Sequence, residues 1–145
     1  TEGGFRSGFA VEPRAVADGV IHDAHGLRVR ALHNRHLGDG PPFRSFSFRI
    51  ETERHAIAYS GDVKSVADFA EFHDGCDLLL METGHHRVEA VSEYLRDSGA
   101  RFGRLLFVHH GRAILADPAG ELAKARAILG ERVAVADDAM VLTLP

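Results

Sequence analysis

Ile57-Ala58-Tyr59-Ser60-Gly61-Asp62, Leu78-Leu79-Leu80-Met81-Glu82-Thr83-Gly84-His85-His86 and Leu105-Leu106-Phe107-Val108-His109-His110-Gly111 decide the fold. Each apolar run has strand length. Each breaks at its end into side chains that bind metal or move protons. Between the runs, Val66, Phe69, Ala70 and Phe72, and then Val91, Tyr94 and Leu95, recur at helical spacing. A strand–helix–strand–helix–strand series with right-handed crossovers makes its strands parallel. The three carboxyl ends then share one sheet edge, the place where α/β sheets collect ligands. Asp62, the group Glu82-His85-His86 and the pair His109-His110 are expected to converge there.

Upstream of this stretch the pattern is antiparallel. Gly19-Val20-Ile21-His22 reads as a strand that turns at Asp23–Gly26 into the alternating strand Leu27–Leu32. A further short strand is expected near Phe9–Val11. After the Gly/Pro loop 38–42, Phe43 to Ile50 alternates, with Phe46, Phe48 and Ile50 on one side and Ser45, Ser47 and Arg49 on the other. Thr52-Glu53-Arg54 turns that strand into Ala56–Ser60. Downstream, Asp117-Pro118 caps a helix running to Gly130. Val133–Val135 and Met140–Leu142 are expected to close the chain as a hairpin turning at Asp137-Asp138. The whole reads as one domain over residues 1–145, a mixed sheet in which an antiparallel half precedes an α/β half.

Composition narrows the function classes. A formal net charge of −4 argues against gripping nucleic acid by bulk electrostatics. The single cysteine, Cys76, excludes an internal disulfide. No apolar run approaches the roughly 20 residues a bilayer span needs, so no membrane partner is expected and the chain reads as cytoplasmic. The ten histidines are the compositional oddity.

Asp62 follows a strand, and Gly61 before it permits a sharp turn and close approach to a ligand. A carboxylate there binds one cation or bridges two, or else caps the next helix. His109 follows the most apolar strand, where an imidazole serves as a transition-metal ligand. Adjacent residues of an extended chain point opposite ways, so only one of His109 and His110 is expected to enter a site. Glu82 ends an apolar strand, where an unpaired charge is costly. It pairs with a histidine to make a proton donor, or forms a salt bridge at a helix start, with His85-His86 placed on the first helical turn. The pairs His22/His25 and His33/His36 do not share a face at their spacing; His36 alone stands out, because it leads into the Gly/Pro loop.

Together, Tyr59-Ser60-Gly61-Asp62, Asp77–Glu82, Leu105–His109 and Val135–Leu142 resemble the second half of metallo-β-lactamase-fold hydrolases, in the flavour of the ribonuclease Z and phosphodiesterase branch. The resemblance covers about residues 19–144. It implies half of an αββα sandwich, with a mixed sheet and helices on one face. It implies a divalent metal, usually zinc, in a two-metal centre with Asp62 as bridging carboxylate and His109 as a ligand. It implies leaving-group assistance by Glu82 with His85 or His86, the favoured pair being Glu82 and His86. His36 matches a histidine before the hairpin, and His110 is a further candidate ligand. The family signature His-x-His-x-Asp-His is absent; no His-x-His occurs in the chain. The chain therefore looks like the carboxyl-terminal half of such a hydrolase, and a partner is expected: the missing amino-terminal half, or a second copy in a homodimer. The expected activity is metal-dependent hydrolysis of a phosphodiester or other small-molecule substrate. The alternatives are a thioester or lactone hydrolase, or a non-catalytic binding or scaffold module of the same fold.

Overall fold

The computed structural model describes residues 8–145. Seven strands form one sheet in sequence order: β1 (Gly19–Ala24), β2 (Leu27–His33), β3 (Phe46–Glu51), β4 (Ala56–Tyr59), β5 (Cys76–Thr83), β6 (Phe102–His110) and β7 (Val133–Val135). The pairs from β1 to β4 are antiparallel, and those from β4 to β7 are parallel. The switch falls where the sequence pattern changes from alternation to solid apolar runs separated by helices. Helices α1 (Ala70–His73), α2 (Val88–Asp97), α3 (Arg112–Ala116) and α4 (Pro118–Leu129) supply the crossovers.

All four helices lie on one face of the sheet. Phe72, Val91, Leu95, Ile114, Ala125 and Leu129 pack there against Leu79, Met81, Leu105 and Phe107. The opposite face carries the alternate residues: Val29, Phe46, Phe48, Ile50, Ile57, Tyr59, Leu80 and Val108. These are apolar and only half-buried. Register confirms the stripe, with Phe48 opposite Tyr59 and Ile50 opposite Ile57. The polar side of β3 is thus the helix side. Arg49 turns inward there and donates to the carbonyl of Phe72 in the last turn of α1 and to those of Asp74 and Gly75 just beyond it.

Several expectations are corrected. No strand forms at Phe9–Val11. The segment after Ser65 is a 3-10 turn, Val66–Phe69, followed by the short α1, rather than one helix. Asp68 and Ser65 form a reciprocal capping box that favours the tight turn. His85 and His86 precede α2 rather than begin it, because Arg87 is its N-cap. Helix α3 was not foreseen. Among the described residues Met140–Leu142 pairs with no strand: β7 lies parallel to β6, and the turn closed by Met140 N–H on the Asp137 carbonyl leads into a segment without a ladder. Met140 and Leu142 instead share a pocket with Leu78 and Leu106.

Candidate metal centre

The parallel strands deliver their carboxyl ends to one edge, and the site is built there. Gly61, after β4, has φ +57°, and a Cβ on it would strike the Phe46 carbonyl. Only glycine allows this turn. It brings Asp62 against β6, where His109 Nδ1 donates to Asp62 Oδ1 at 2.6 Å.

His109 owes its position to an irregularity in the ladder. Glu82 pairs with Val108 and Thr83 with His110, so His109 is the extra residue of a bulge on β6. Its φ is +48°, unusual for a side-chain-bearing residue. The bulge turns the ring toward Asp62 and toward Gly84, where a Cβ would stand 3.3 Å from His109 Cε1. His110 points elsewhere, and its Nε2 donates to the Ala136 carbonyl at 2.7 Å.

Glu82 is fully buried, and both of its carboxylate oxygens are engaged. The backbone N–H of His85 donates to Oε2 at 2.9 Å, and that of Val63 donates to Oε1 at 3.3 Å. His85 Nδ1 lies 3.1 Å from Oε1. The His85 ring reaches out to His36 and His109, with centroids 4.6 and 5.9 Å away. His86 Nε2 donates to the Val63 carbonyl at 2.9 Å and lies 3.5 Å from Glu82 Oε1. Of the two histidines after Glu82, His85 faces the site.

His36 is brought in by the loop after β2. Its backbone N–H donates to Asn34 Oδ1, and Asn34 Nδ2 donates to Ser47 Oγ. Ser47 Oγ donates to the Ser60 carbonyl at 2.5 Å, and Glu82 N–H donates to Ser60 Oγ at 3.0 Å. Asn34, Ser47, Ser60 and Glu82 are all buried, so a closed polar chain runs beneath the site. Arg35 forks onto Asp68, whose side chain is only 2% exposed. Burial pushes the Asp68 carboxyl up, but the hydrogen bonds from Arg35 and from the Ser65 and Arg35 backbone outweigh it and hold the group below its ordinary value. Sequence reasoning missed Asn34, Ser47 and Asp68. The only signal was their position beside His36 and on the polar side of β3, and alternation does not say which side is buried.

His36, Asp62 and His85 each present one donor atom within 4.8 Å of the other two. His36 Nε2 and Asp62 Oδ2 stand 4.0 Å apart, too far for a hydrogen bond. Two ligands of one tetrahedral ion, with bonds of about 2.0–2.2 Å each, stand roughly 3.3–3.6 Å apart, so a side-chain shift of about half an ångström would bring both onto one ion. Carboxylate and imidazole donors match zinc and other divalent transition ions, so the residues fit a metal.

The family model for the beta-lactamase superfamily domain matches residues 6–136. The chain belongs to this superfamily. Its fold is that of metallo-β-lactamases, as solved structures show. The metallo-beta-lactamase fold protein YhfI of Bacillus subtilis superposes with a TM-score of 0.66 at 20% identity, over 84% of this chain and 52% of that one. Zn(2+)-bound PqqB of Methylobacterium extorquens gives 0.65 at 18% identity, over 90% and 55%. The human tRNase Z short form, ELAC1, gives 0.54 at 17% identity, over 87% and 46%. The superfamily domain seen here spans about half the length of each of these proteins. No curated protein matches the sequence. Among the described residues, no helix is long and apolar enough to cross a membrane.

Proposed function

We propose that this superfamily domain serves metal-dependent hydrolysis, with phosphodiesters as the substrate class, and that turnover requires a complementing layer carrying His-x-His-x-Asp-His. The observation that carries the reading is the gathering of Asp62, His109, His36 and the Glu82–His85 pair at one sheet edge. Asp62 and His109 would hold divalent metal, zinc being the first candidate, as the family resemblance implies. Bound there, such ions activate water and neutralise charge on a phosphoryl oxygen. The chain's own residues supply the rest. Glu82 fixes the His85 ring, whose side chain is 45% exposed and therefore open to a departing oxygen as proton donor. His86, whose Nε2 lies 3.5 Å from Glu82 Oε1 and donates to the Val63 carbonyl, is the second candidate for that role. One structural neighbour is a tRNase, which makes phosphodiesters the first class to test.

Thioester or lactone hydrolysis is the second reading, favoured by one feature. An apolar groove lined by Ile114, Leu115, Pro118, Leu122 and Val135 opens beside His110, and an adjoining pocket continues it to His109. Such a groove suits an acyl chain better than a phosphate.

The deciding experiment mixes the chain with a segment carrying the absent motif, adds zinc, and follows bis-p-nitrophenyl phosphate and a p-nitrophenyl thioester side by side. Phosphodiester turnover is expected, falling about 10²–10⁴-fold in His85→Ala. Turnover of the thioester alone would shift the assignment to the second reading. No turnover of either, with metal-free protein, would leave a non-catalytic binding module.

A further inference from the structure

We infer that the groove between α3, α4 and the end of β7 is a subsite for an uncharged alkyl chain, and that Asp137 and Asp138 at its mouth turn anionic chains away. This rests on the hydrolase reading for what the alkyl chain is attached to. It goes beyond that reading by giving the groove a charge preference and named determinants, and by placing it in the chain as it stands, with no ion needed.

The first observation is how the groove is made. Asp117 is at once the C-cap of α3 and the N-cap of α4, with Pro118 opening the second helix. A residue before proline is held out of helical conformation, so the two helices cannot run on as one. The notch between them is lined by Ile114, which belongs to the core, and by Pro118, Leu122 and Val135. Gly120 keeps the joint tight, since a Cβ on it would strike the Asp117 carboxylate. Leu115 stands on the lip, 70% exposed, and gains burial only when something apolar fills the groove. The cavity holds about 470 Å³, which suits a chain on the order of ten carbons at roughly 30 Å³ each, the volume of a water.

The second is what the groove does not offer. His110 lies along it, but its Nε2 donates to the Ala136 carbonyl, and its Nδ1 is shut off from solvent with no partner among the described residues. His110 therefore shows a ligand its ring and no free hydrogen bond. Among the described residues, no lysine or arginine lines the groove or the pocket that adjoins it. A phosphate or carboxylate would find no counter-charge there.

The third is where the groove leads. The adjoining pocket runs from Leu115 and His110 to His109, at the edge where the ester would be held, and Asp137 and Asp138 border it. Asp137 Oδ1 accepts from the backbone N–H of Asp138 at 2.9 Å, and neither carboxylate has an ion-pair partner among the described residues. Two uncompensated negative charges repel an anionic group at close range and leave an alkyl chain untouched. A chain leading away from the His109 edge thus meets a charge filter first and an apolar wall next.

The test uses the metal-free chain in chelator, so that the carboxylates and not an ion set the charge. The probes are decanol and decanoate, each with a photoreactive diazirine at the far end of the chain, and labelled peptides are read by mass spectrometry. Decanol is expected to label residues 112–122 and 133–138. Ala119→Trp, at an exposed position on the groove, should cut that labelling about tenfold or more, the effect of leaving about two methylenes in water. Leu115→Gln, on the lip, should cut it about fivefold. Decanoate should label the groove about fivefold less than decanol in wild type, and the Asp137→Asn/Asp138→Asn double variant should bring the two probes level. Circular dichroism checks that each variant folds; should Ala119→Trp fail to, Leu115→Gln decides. An unlabelled groove overturns the inference, whether decanol labels nothing or only the sheet face around Phe48. So does labelling that survives both groove variants, or decanoate that labels wild type as well as decanol does. The hydrolase reading is separable: turnover in the complemented protein with an unlabelled groove keeps that reading and discards the subsite, and a labelled groove without turnover does the reverse.

Discussion

Backbone strain and burial single out two histidines. His109 holds a left-handed conformation that costs a side-chain-bearing residue about 1–2 kcal/mol and glycine almost nothing. In an ordinary strand, alanine is the more stable replacement by about 0.5–1 kcal/mol. At position 109 the order should invert, with His109→Gly about 1 kcal/mol more stable than His109→Ala in urea unfolding. Both variants lose the Asp62 contact, so their difference isolates the conformation; equal stability would mean the bulge relaxes. His73 is strained electrostatically instead. It is 3% exposed, its ring edges meet Phe69 and Tyr94, and neither nitrogen has a partner among the described residues. Burial lowers its pKa below the ordinary 6.5, and the neighbouring Asp74 only partly offsets this. Below pH 6.5 the unfolded chain takes up a proton that the folded chain refuses. Stability is therefore lost as pH falls from about 6.5 toward the lowered value. His73→Phe should remove that loss. Urea midpoints of variant and wild type should diverge between pH 7 and pH 5, in favour of the variant. Parallel curves would show that His73 is protonated or solvated in the native state.

At the level of strands and turns, the apolar runs carried most of the information. Ile57–Tyr59, Leu78–Met81 and Leu105–Val108 name β4, β5 and β6, and their parallel order follows from the helices between them. The convergence of Asp62, Glu82, His85 and His109 was legible for the same reason, since residues at strand ends go where the strand ends go. Three things were not legible. The bulge that turns His109 depends on register between β5 and β6, and no local pattern encodes register. The side on which β3 is buried was ambiguous, because a helix layer accepts Arg49 through the carbonyls at the end of α1 and just beyond it, while the opposite face takes Phe46, Phe48 and Ile50. Met140–Leu142 has strand composition, but a strand needs a neighbour, and composition does not supply one. Ser47 shows what the ambiguity hid. Its hydroxyl joins β3 to β4 through the Ser60 carbonyl and to the His36 loop through Asn34. Ser47→Ala leaves a buried carbonyl and a buried amide each short of a partner, at about 1–3 kcal/mol. Chemical denaturation should report that loss. Ser47→Thr, which keeps the hydroxyl, should recover part of it; an alanine variant as stable as wild type would mean water replaces the hydroxyl.

Across the whole molecule, the sheet has one finished face and one open one. Helices cover Leu79, Met81, Leu105 and Phe107, while the stripe from Val29 through Phe48, Ile50, Ile57 and Tyr59 to Leu80 and Val108 has no helix over it among the described residues. A contiguous apolar band of this kind marks an interaction surface. Domains stabilise a sheet by burying both faces. The Phe48–Tyr59 ring pair, with centroids 6.5 Å apart, sits mid-stripe and is the natural contact point. The solved structures the chain resembles are about twice as long as the matched region, and the partner proposed above, a second layer carrying His-x-His-x-Asp-His, would cover the stripe. Two consequences are measurable. The lone chain should self-associate at tens of micromolar in light scattering, because a second copy could cover the stripe. Adding the complementing segment should replace that species with a one-to-one complex of higher Tm. Phe48→Glu, directed away from the helix layer, should weaken both assemblies by at least about tenfold while leaving the circular dichroism of the chain unchanged. A lone chain that stays monomeric, with no rise in Tm on complementation, would mean the stripe is adequately covered by the chain itself, and the two-layer reading would fall while the metal edge stood.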